Sequence, residues 1–328
     1  MNIKEVNQLD IWEARKRVLS VIRKSPLIYS PVLSHFTGAS VHLKLENLNV
    51  TGSFKIRGAT NKVLSLSKEE REGGITTFST GNFGMSVAYL ARQLKIKAVI
   101  CVSHRVPNAK MVALKQTGAE IEVYGESQDE AEQRCYQLEK EQGYTVIHPF
   151  DDPHVIAGQG TMGLEIVEDL PSVDTVVGGL SGGGLHSGLG VALKSADTAI
   201  QVLGVSTAQG ASMYESIKYG KPTIVEEQDT LADSLLGGIG MNNQYTFRMV
   251  QQYVDDIVLV NEADIAKGMT FMLDKHRMII EGAAAAGIGA ILNKKLAIGK
   301  TVVVIISGCS VDTSVVLDLM KNYKSIPD

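Results

Sequence analysis

The sequence predicts an α/β protein with two doubly wound domains, each built on a mostly parallel sheet. Two observations carry this prediction. Short β-rich runs alternate with helical stretches along most of the chain, as in strand–helix–strand crossover units. These runs are apolar on both faces, which is typical of parallel strands that helices cover on each side. The chain of 328 residues is long enough for two such domains.

The first series of crossover units begins at residue 75. After its first predicted strand, Val87, Leu90 and Leu94 share one face at helical spacing. Two more helices are expected, one around Met111 and a polar one that runs through Leu138. The predicted strands of this series are ITTFS (75–79), KAVICV (97–102), IEVY (121–124) and TVIHP (145–149).

A second series of predicted strands lies on both sides of the first. Its members are HLKLENL (42–48), DTVVGG (174–179), IQVLGV (200–205), DIVLV (256–260) and TVVVIIS (301–307). Doubly wound sheets bind ligands at the carboxyl ends of their strands. We therefore expect the functional site where the two domains meet.

Composition favours a small ligand. The net charge is −4 and no run of basic residues is longer than the three of Arg15-Lys16-Arg17, so nothing indicates nucleic acid or an anionic membrane as a partner. Residues 1–20 are charged where a signal peptide would be apolar, and no apolar stretch is long enough to span a membrane. The three cysteines form no C-x-x-C pair, which argues against a disulfide framework or a zinc ribbon. We expect a cytoplasmic protein with buried cysteines that binds a small neutral or zwitterionic molecule.

The segment TGSFKIRG (51–58) places Lys55 at the start of a predicted helix, with Ser53 as a candidate N-cap. A lysine is unusual there because the helix dipole favours acidic residues in the first turn. An ordinary surface lysine is one interpretation. A partly buried lysine would instead have a lowered pKa, which Schiff-base chemistry requires.

The turn STGNFG (79–84) follows a predicted strand and opens a helix. Gly81 and Gly84 allow a sharp turn, and the free amides of a helix start bind carboxylate or phosphate groups. A simple capped turn explains the same residues equally well.

The run GGLSGGGL (178–185) also lies between a predicted strand and a helix. Successive backbone N–H groups in such a glycine-rich loop can hold a phosphate. The glycines lack the G-x-G-x-x-G spacing of dinucleotide-binding folds, which disfavours a nicotinamide or flavin. The same run matches the G-x-S-x-G nucleophile elbow, so Ser181 is an alternative nucleophile, with Asp256 and His276 as downstream partners.

The last predicted strand ends in SGCSVD (307–312). At this position the Ser307 hydroxyl could hydrogen-bond a ring nitrogen of a ligand, or it could simply form a turn.

Together and in this order, these segments resemble the fold type II pyridoxal-phosphate (PLP) enzymes, whose fold is like that of the tryptophan synthase β subunit. Within them, the chain is most similar to the serine/threonine dehydratase and serine racemase branch. The most specific match is KLENLNVTGSFKIRGA (44–59), and the resemblance covers nearly the whole chain.

The resemblance implies a role for each candidate residue. Lys55 would carry the cofactor as a Schiff base, with Phe54 packed beside it. Asn82 would contact the phenolic oxygen, Glu281 would lie near the ring, and Ser307 would face the pyridine nitrogen. The phosphate would be held by Ser181, Gly182, Gly183, Gly184 and Leu185. The substrate carboxylate would be held by Ser79, Thr80, Gly81, Asn82 and Phe83.

The resemblance implies β-elimination as the reaction. The freed amine of Lys55 would remove the Cα proton of the substrate. A hydroxyl at the pyridine nitrogen keeps the ring neutral, which favours loss of a β-hydroxyl over transamination. The expected function is that of an ammonia-lyase that converts threonine, serine or a related 3-hydroxy amino acid into a 2-oxo acid and ammonia. The alternatives are an amino-acid racemase, in which the Thr80 hydroxyl acts on the opposite face of Cα, and a Ser181 hydrolase.

Several positions depart from the usual pattern of the branch. Thr80 replaces a serine, Phe83 replaces a histidine and Ser181 replaces a glycine. Ser206 stands where many members have a metal-binding glutamate, so no metal is expected. The GVS pattern at 204–206 looks like that of dehydratases associated with hydroxyectoine breakdown.

The resemblance also implies an organisation for the chain. We expect a large PLP-binding domain of residues 1–66 and 152–328, and a small substrate-closing domain of residues 67–151. We expect a homodimer.

Overall fold

The structure, a computed structural model, describes residues 5–79, 81–104, 106 and 108–321, the last range without the side chains of 108–110. Within these residues, ten strands form two separate sheets. The strands are β1 (Leu27–Tyr29), β2 (Ser40–Leu45), β3 (Ile75–Phe78), β4 (Ala98–Val102), β5 (Glu120–Val123), β6 (Thr145–Val146), β7 (Thr175–Gly179), β8 (Gln201–Thr207), β9 (Asp256–Val260) and β10 (Thr301–Ile306).

Fourteen α-helices connect and cover the strands in the described ranges. They are α1 (Gln8–Val18), α2 (Pro31–Thr37), α3 (Lys55–Ser65), α4 (Lys68–Gly73), α5 (Asn82–Leu94), α6 (Asn108–Gln116), α7 (Gln128–Gln142), α8 (Pro153–Asp169), α9 (Gly184–Ala196), α10 (Ser212–Tyr219), α11 (Thr246–Tyr253), α12 (Glu262–His276), α13 (Gly282–Leu292) and α14 (Thr313–Lys321).

The larger sheet has six strands in the order β1-β2-β10-β7-β8-β9. Every neighbouring pair is parallel except the edge pair of β1 and β2, which is antiparallel. Alternate residues of β10 point to opposite faces: Val302 and Val304 pack with α12 and α13, whereas Val303 and Ile305 pack with α8 and α9. Helices therefore cover both faces, which explains why the central strands are apolar throughout.

The smaller sheet has four parallel strands in the order β5-β4-β3-β6. Its longest flanking helix, α7, begins with a capping box in which Ser127 and Glu130 satisfy each other's backbone N–H groups. It ends at Gly143, which adopts the left-handed conformation that glycine tolerates best.

The α/β fold with mostly parallel sheets is confirmed, and each predicted strand is present. Two boundaries were too generous: β2 ends at Leu45 and is followed by a short 3-10 helix, and β6 ends at Val146. The antiparallel strand β1 was not predicted. None of the helices in the described part of the chain is both long and apolar enough to cross a membrane.

Candidate active site

One cavity of about 110 Å³ lies where the strand ends of the two sheets face each other. Its walls include all the predicted site residues that the structure describes, which are Phe54, Lys55, Ser79, Gly81, Asn82, Phe83, Ser181, Gly182, Gly183, Gly184, Leu185, Glu281 and Ser307. Thr80 lies outside the described residues. The structure thus brings together segments that are far apart in the sequence.

Lys55 is the first residue of α3 and projects into this cavity. Its Nζ lies 3.5 Å from the carbonyl oxygen of Pro149. The rings of Phe54 and Phe83 have their centroids 5.2 and 5.8 Å from Nζ. Burial lowers the pKa of Lys55 to about 8, although the negative charge of Glu281 opposes the shift. The amine is therefore far easier to deprotonate than that of a surface lysine.

The prediction that Ser53 caps this helix is wrong. The N-cap is Phe54, and no described side chain caps it. Ser53 instead forms a bridge with Gly308, and the backbone N–H of Phe54 donates to the carbonyl oxygen of Ser307 at 3.0 Å. The start of α3 is thus attached to the segment that follows β10, which brings Lys55 beside Ser307.

The glycine-rich loop at 181–185 connects β7 to α9. Gly183 is the N-cap of α9, has a φ of +87°, and has no capping side chain among the described residues. A Cβ atom on Gly182 would lie 2.6 Å from the Phe150 ring, and one on Gly184 would lie 2.9 Å from the Phe150 carbonyl oxygen. Side chains are therefore excluded at these positions, and the N–H groups of the helix start are available for an anion.

The second helix start at the cavity is that of α5. Its N-cap, Gly81, also lacks a capping side chain in the described part of the chain. A Cβ atom on Gly84 would lie 2.7 Å from the carbonyl oxygen of Ser79, so the turn requires glycine there. The Phe83 side chain is 1% exposed and belongs to the core beside the smaller sheet, and its ring also forms part of the cavity wall near Lys55.

Glu281 joins the two sheets across the cavity. It is the N-cap of α13, and its carboxylate accepts hydrogen bonds from Asn82 Nδ2 at 2.9 and 3.0 Å and from the Ser310 N–H at 3.1 Å. A Cβ atom on Gly308 would lie 2.7 Å from Glu281 Oε1, so glycine makes room for this carboxylate. The contacts fix the orientation of the Asn82 amide, since only its NH2 group can donate to a carboxylate.

The alternative that Ser181 is a hydrolytic nucleophile finds no support. Its hydroxyl lies 3.4 Å from the Leu236 carbonyl oxygen. His276 Nε2 is hydrogen-bonded to Ser30 at 3.1 Å. Asp256 begins β9 and therefore lies at the amino edge of the sheet, opposite the cavity. The three residues do not form a triad.

Besides single residues such as Gln128, sequence reasoning missed two parts of the cavity wall. The first is Pro149 and Phe150, which follow β6 in the way that the predicted loops follow their strands. Had β6 been predicted to end at Val146, these residues would have been recognised as part of a loop at a strand end. The second is the segment 233–238, which contributes Asp233, Ser234 and Leu236. This segment follows no strand, so the rule about strand ends could not find it.

Ser206, where the sequence resemblance implied a metal-binding glutamate in many members, is buried in β8 and pairs in register with Leu259. Across the residues that the structure describes, no group of three or more His, Cys, Asp or Glu side chains is arranged to hold a metal ion.

Comparison with known proteins identifies the family. The family model described as "Pyridoxal-phosphate dependent enzyme" matches residues 18–308, and the chain belongs to this family. PLP is its cofactor.

Individual members of known function and structure are also similar to this chain. The L-threonine ammonia-lyase of Thermotoga maritima is 43% identical over 94% of this chain and 76% of its own length. A catabolic L-threonine dehydratase of Staphylococcus aureus is 39% identical over 97% of this chain and 93% of its own length. The solved structure of maize serine racemase is 28% identical and superposes with a TM-score of 0.90 over 97% of this chain and 98% of its own length.

Proposed function

We propose that this protein is a PLP-dependent ammonia-lyase that eliminates water from a 3-hydroxy amino acid and releases a 2-oxo acid and ammonia. The observation that carries the proposal is the convergence at one cavity of a lysine with a lowered pKa, two helix starts that no described side chain caps, and a serine at a strand end. The relatives named as threonine ammonia-lyase and threonine dehydratase support the reaction type.

The cavity fits the cofactor. The backbone N–H groups at residues 181–185 would hold its phosphate, because the glycines leave that helix start open. Lys55 would hold the cofactor covalently, Asn82 and Glu281 would face the ring, and the Ser307 hydroxyl would face its nitrogen. When bound, PLP withdraws electrons from the Cα atom of an amino acid and so makes its proton acidic.

Lys55 is the base that this reaction needs. At a pKa of about 8, a substantial fraction of the amine is neutral near neutral pH, whereas an ordinary lysine would be almost fully charged. Burial between Phe54 and Phe83 supplies this shift, since an apolar environment penalises the charged form. Lys55 can therefore accept the Cα proton and later return one.

The helix start of α5 would bind the substrate carboxylate. The first N–H groups of this helix, those of Asn82 and Phe83, lie at the cavity wall, and the helix dipole favours a negative charge there. The N–H of Gly81 donates to Ser79 Oγ at 3.4 Å. A carboxylate held at this turn, with the amine held on the side of Lys55, directs the Cα–H bond toward Lys55 Nζ. Ser79 lines the same cavity, and we propose that it completes this subsite together with Thr80.

Ser307 decides between reaction outcomes in this proposal. A serine hydroxyl is neutral and does not protonate a pyridine nitrogen, unlike a carboxylic acid. With PLP bound, this neutral partner would leave the ring less able to stabilise negative charge from Cα, which would favour prompt departure of a β-hydroxyl group. This supports elimination rather than transamination.

Racemisation is the second candidate, because the fold superposes closely on maize serine racemase. Both reactions begin when Lys55 removes the Cα proton, and they diverge in whether the β-hydroxyl leaves before a proton returns.

The deciding experiment incubates PLP-loaded protein with L-serine, L-threonine and other 3-hydroxy amino acids. It measures 2-oxo acid and the D-enantiomer in the same samples, with Lys55→Ala as the inactive control. We expect oxo acid from at least one substrate and only traces of D-amino acid. Racemisation without oxo acid would reverse the ranking, and neither product from any substrate would overturn the proposal.

We also propose that residues 67–151 form a small domain that closes over the substrate. All four strands of the smaller sheet lie within this range, which supports the boundary. The protein is proposed to act as a cytoplasmic homodimer. Its three cysteines are free thiols, as suits a reducing compartment. Sedimentation or light scattering of purified protein measures the assembly.

A further inference from the structure

Beneath the active-site helix α3 lies a buried group of four charged side chains. Lys44, Glu46, Arg57 and Glu165 are each 2% exposed or less. They lie on β2, on the 3-10 turn after β2, on α3 and on α8. Two positive and two negative charges are thus enclosed together, and we call this group the buried ion cluster.

Arg57 is the centre of the buried ion cluster. Its guanidinium donates to both carboxylate oxygens of Glu46 at 2.8 Å and to those of Glu165 at 2.7 and 2.8 Å. It also donates to Thr161 Oγ1 at 3.1 Å and to Ser25 Oγ at 3.3 Å. A planar guanidinium held by two forked carboxylate contacts has little freedom to rotate or translate.

Arg57 is two residues after Lys55 on the same helix. Two residues correspond to about 200° of rotation, so the side chains point to opposite sides of α3. Lys55 faces the cavity while Arg57 faces the buried ion cluster. Because no described side chain caps the start of α3, hydrogen bonds from a capping residue do not hold this turn. Arg57 is the charged side chain that anchors this turn, in addition to the backbone contacts of Ser53 and Phe54 with the segment after β10.

The contacts of the buried ion cluster reach the other segments that lead to Lys55. Glu46 accepts from Asn49 Nδ2 at 2.7 Å, which fixes the chain just before α3. Lys44 Nζ donates to Glu165 Oε2 at 2.6 Å and thereby ties β2 to α8. A Cβ atom on Gly58 would lie 2.5 Å from Gln159 Nε2, so α3 also lies directly against α8.

A buried ion cluster of this kind adds little net stability to a fold. Burying charges costs solvation energy, and well-packed apolar side chains often stabilise a fold as much or more. What forked ion pairs provide in addition is a defined geometry. We propose that Arg57, held between Glu46 and Glu165, is the positioning residue that sets where the Lys55 amine lies in the active-site cavity. The catalytic consequence rests on the proposed function, whereas the position of the amine can be tested without cofactor.

The test is Arg57→Lys, which keeps the positive charge but loses the fork. In cofactor-free protein, the rate at which an amine-reactive reagent labels Lys55 is followed against pH by peptide mass spectrometry. The wild-type profile should have its midpoint at about 8. In Arg57→Lys we expect the midpoint to move toward the ordinary lysine value, because a displaced amine is less buried. In the loaded enzyme we expect kcat to fall roughly 10- to 100-fold with little change in KM.

Two further variants keep the test decisive. Glu46→Asp retains all four charges but shortens one carboxylate arm, and it should shift the labelling midpoint in the same direction. Ile265 lies on the buried face of α12, and Ile265→Val, which removes one methyl group from that core, is the control for a general loss of stability. It should leave both the midpoint and kcat unchanged.

The proposal is overturned if folded Arg57→Lys or Glu46→Asp keeps the wild-type midpoint and a kcat within about twofold of wild type, a change too small for a misplaced base. It is also overturned if neither variant folds, since the cluster would then hold the fold as a whole. A wild-type protein that captures no PLP would refute the proposed function instead, and the labelling comparison would still stand.

Discussion

Substitution of Gly182 by alanine tests the phosphate cradle directly. The added Cβ atom would lie 2.6 Å from Phe150 Cγ and 2.7 Å from both Cδ atoms, so it would meet the base of the ring. Carbon atoms in ordinary contact are about 3.5 Å apart, so the ring or the loop must move by about 0.9 Å. Phe150 cannot easily yield, because its ring packs edge-on against His148 with the centroids 4.7 Å apart.

The loop therefore moves, and the N–H groups that it offers to the phosphate move with it. Overpacking of this kind costs about 1–3 kcal/mol, which corresponds to roughly 5- to 150-fold weaker binding if the strain falls on the bound state. The assay is a titration of cofactor-free Gly182→Ala with PLP, followed by absorbance. The control is Gly178→Ala, whose Cβ would meet its neighbours at an ordinary 3.5 Å.

Relief of the contact supplies a second control. The double variant Gly182→Ala/Phe150→Leu should bind PLP more tightly than Gly182→Ala alone, because leucine is smaller at the point of contact. If folded Gly182→Ala binds PLP as tightly as wild type, the phosphate does not lie against this loop as we describe.

Three other predictions concern polar and ionisable side chains in the cavity wall. Glu281→Gln removes the negative charge that opposes the lowered pKa of Lys55, so the midpoint of Lys55 labelling should fall below about 8, and a midpoint that rises would contradict this. Ser307→Asp places an acid at the proposed pyridine-nitrogen site. The cofactor should still bind, while the elimination products, a 2-oxo acid without the β-hydroxyl and ammonia, should fall relative to the transamination products. An unchanged product ratio would mean that Ser307 does not face the nitrogen. Burial lowers the pKa of His186 to about 4, and its neutral form is favoured in the fold. This stabilisation is complete above the unfolded-state value near 6.5 and is lost as pH falls toward 4, by about 3 kcal/mol in all. The free energy of unfolding, measured with urea at a series of pH values, should change less between about pH 4 and 6.5 in His186→Leu than in wild type.

Local sequence patterns predicted the strands because a parallel strand in a double-sided core must be apolar at nearly every residue, as β7 and β10 are. They did not predict β1, whose three residues are too few to show a pattern. They also misjudged the start of α3, since Ser53 has the right side chain for a cap but its backbone is engaged with Gly308.

The candidate site was largely predictable where glycine loops closely follow buried strands, as at 79–84 and 181–185. Pro149 and Phe150 were missed because the apolar run TVIHP was taken as a strand throughout, although β6 ends at Val146. The partnership of Asn82 with Glu281 joins residues 199 positions apart and depends on how the two sheets meet. The same holds for Arg57 and Glu165, which are 108 positions apart. Such pairings follow from the topology of the chain and leave no local pattern.

The most direct test of the central claim is to identify the residue that carries the cofactor. Protein loaded with PLP is reduced with borohydride, digested and analysed by peptide mass spectrometry, with Lys55→Ala treated in parallel. We predict that the reduced cofactor is attached to Lys55 and that the variant carries none. Cofactor found on another lysine, or bound covalently in the Lys55→Ala protein, would contradict the account.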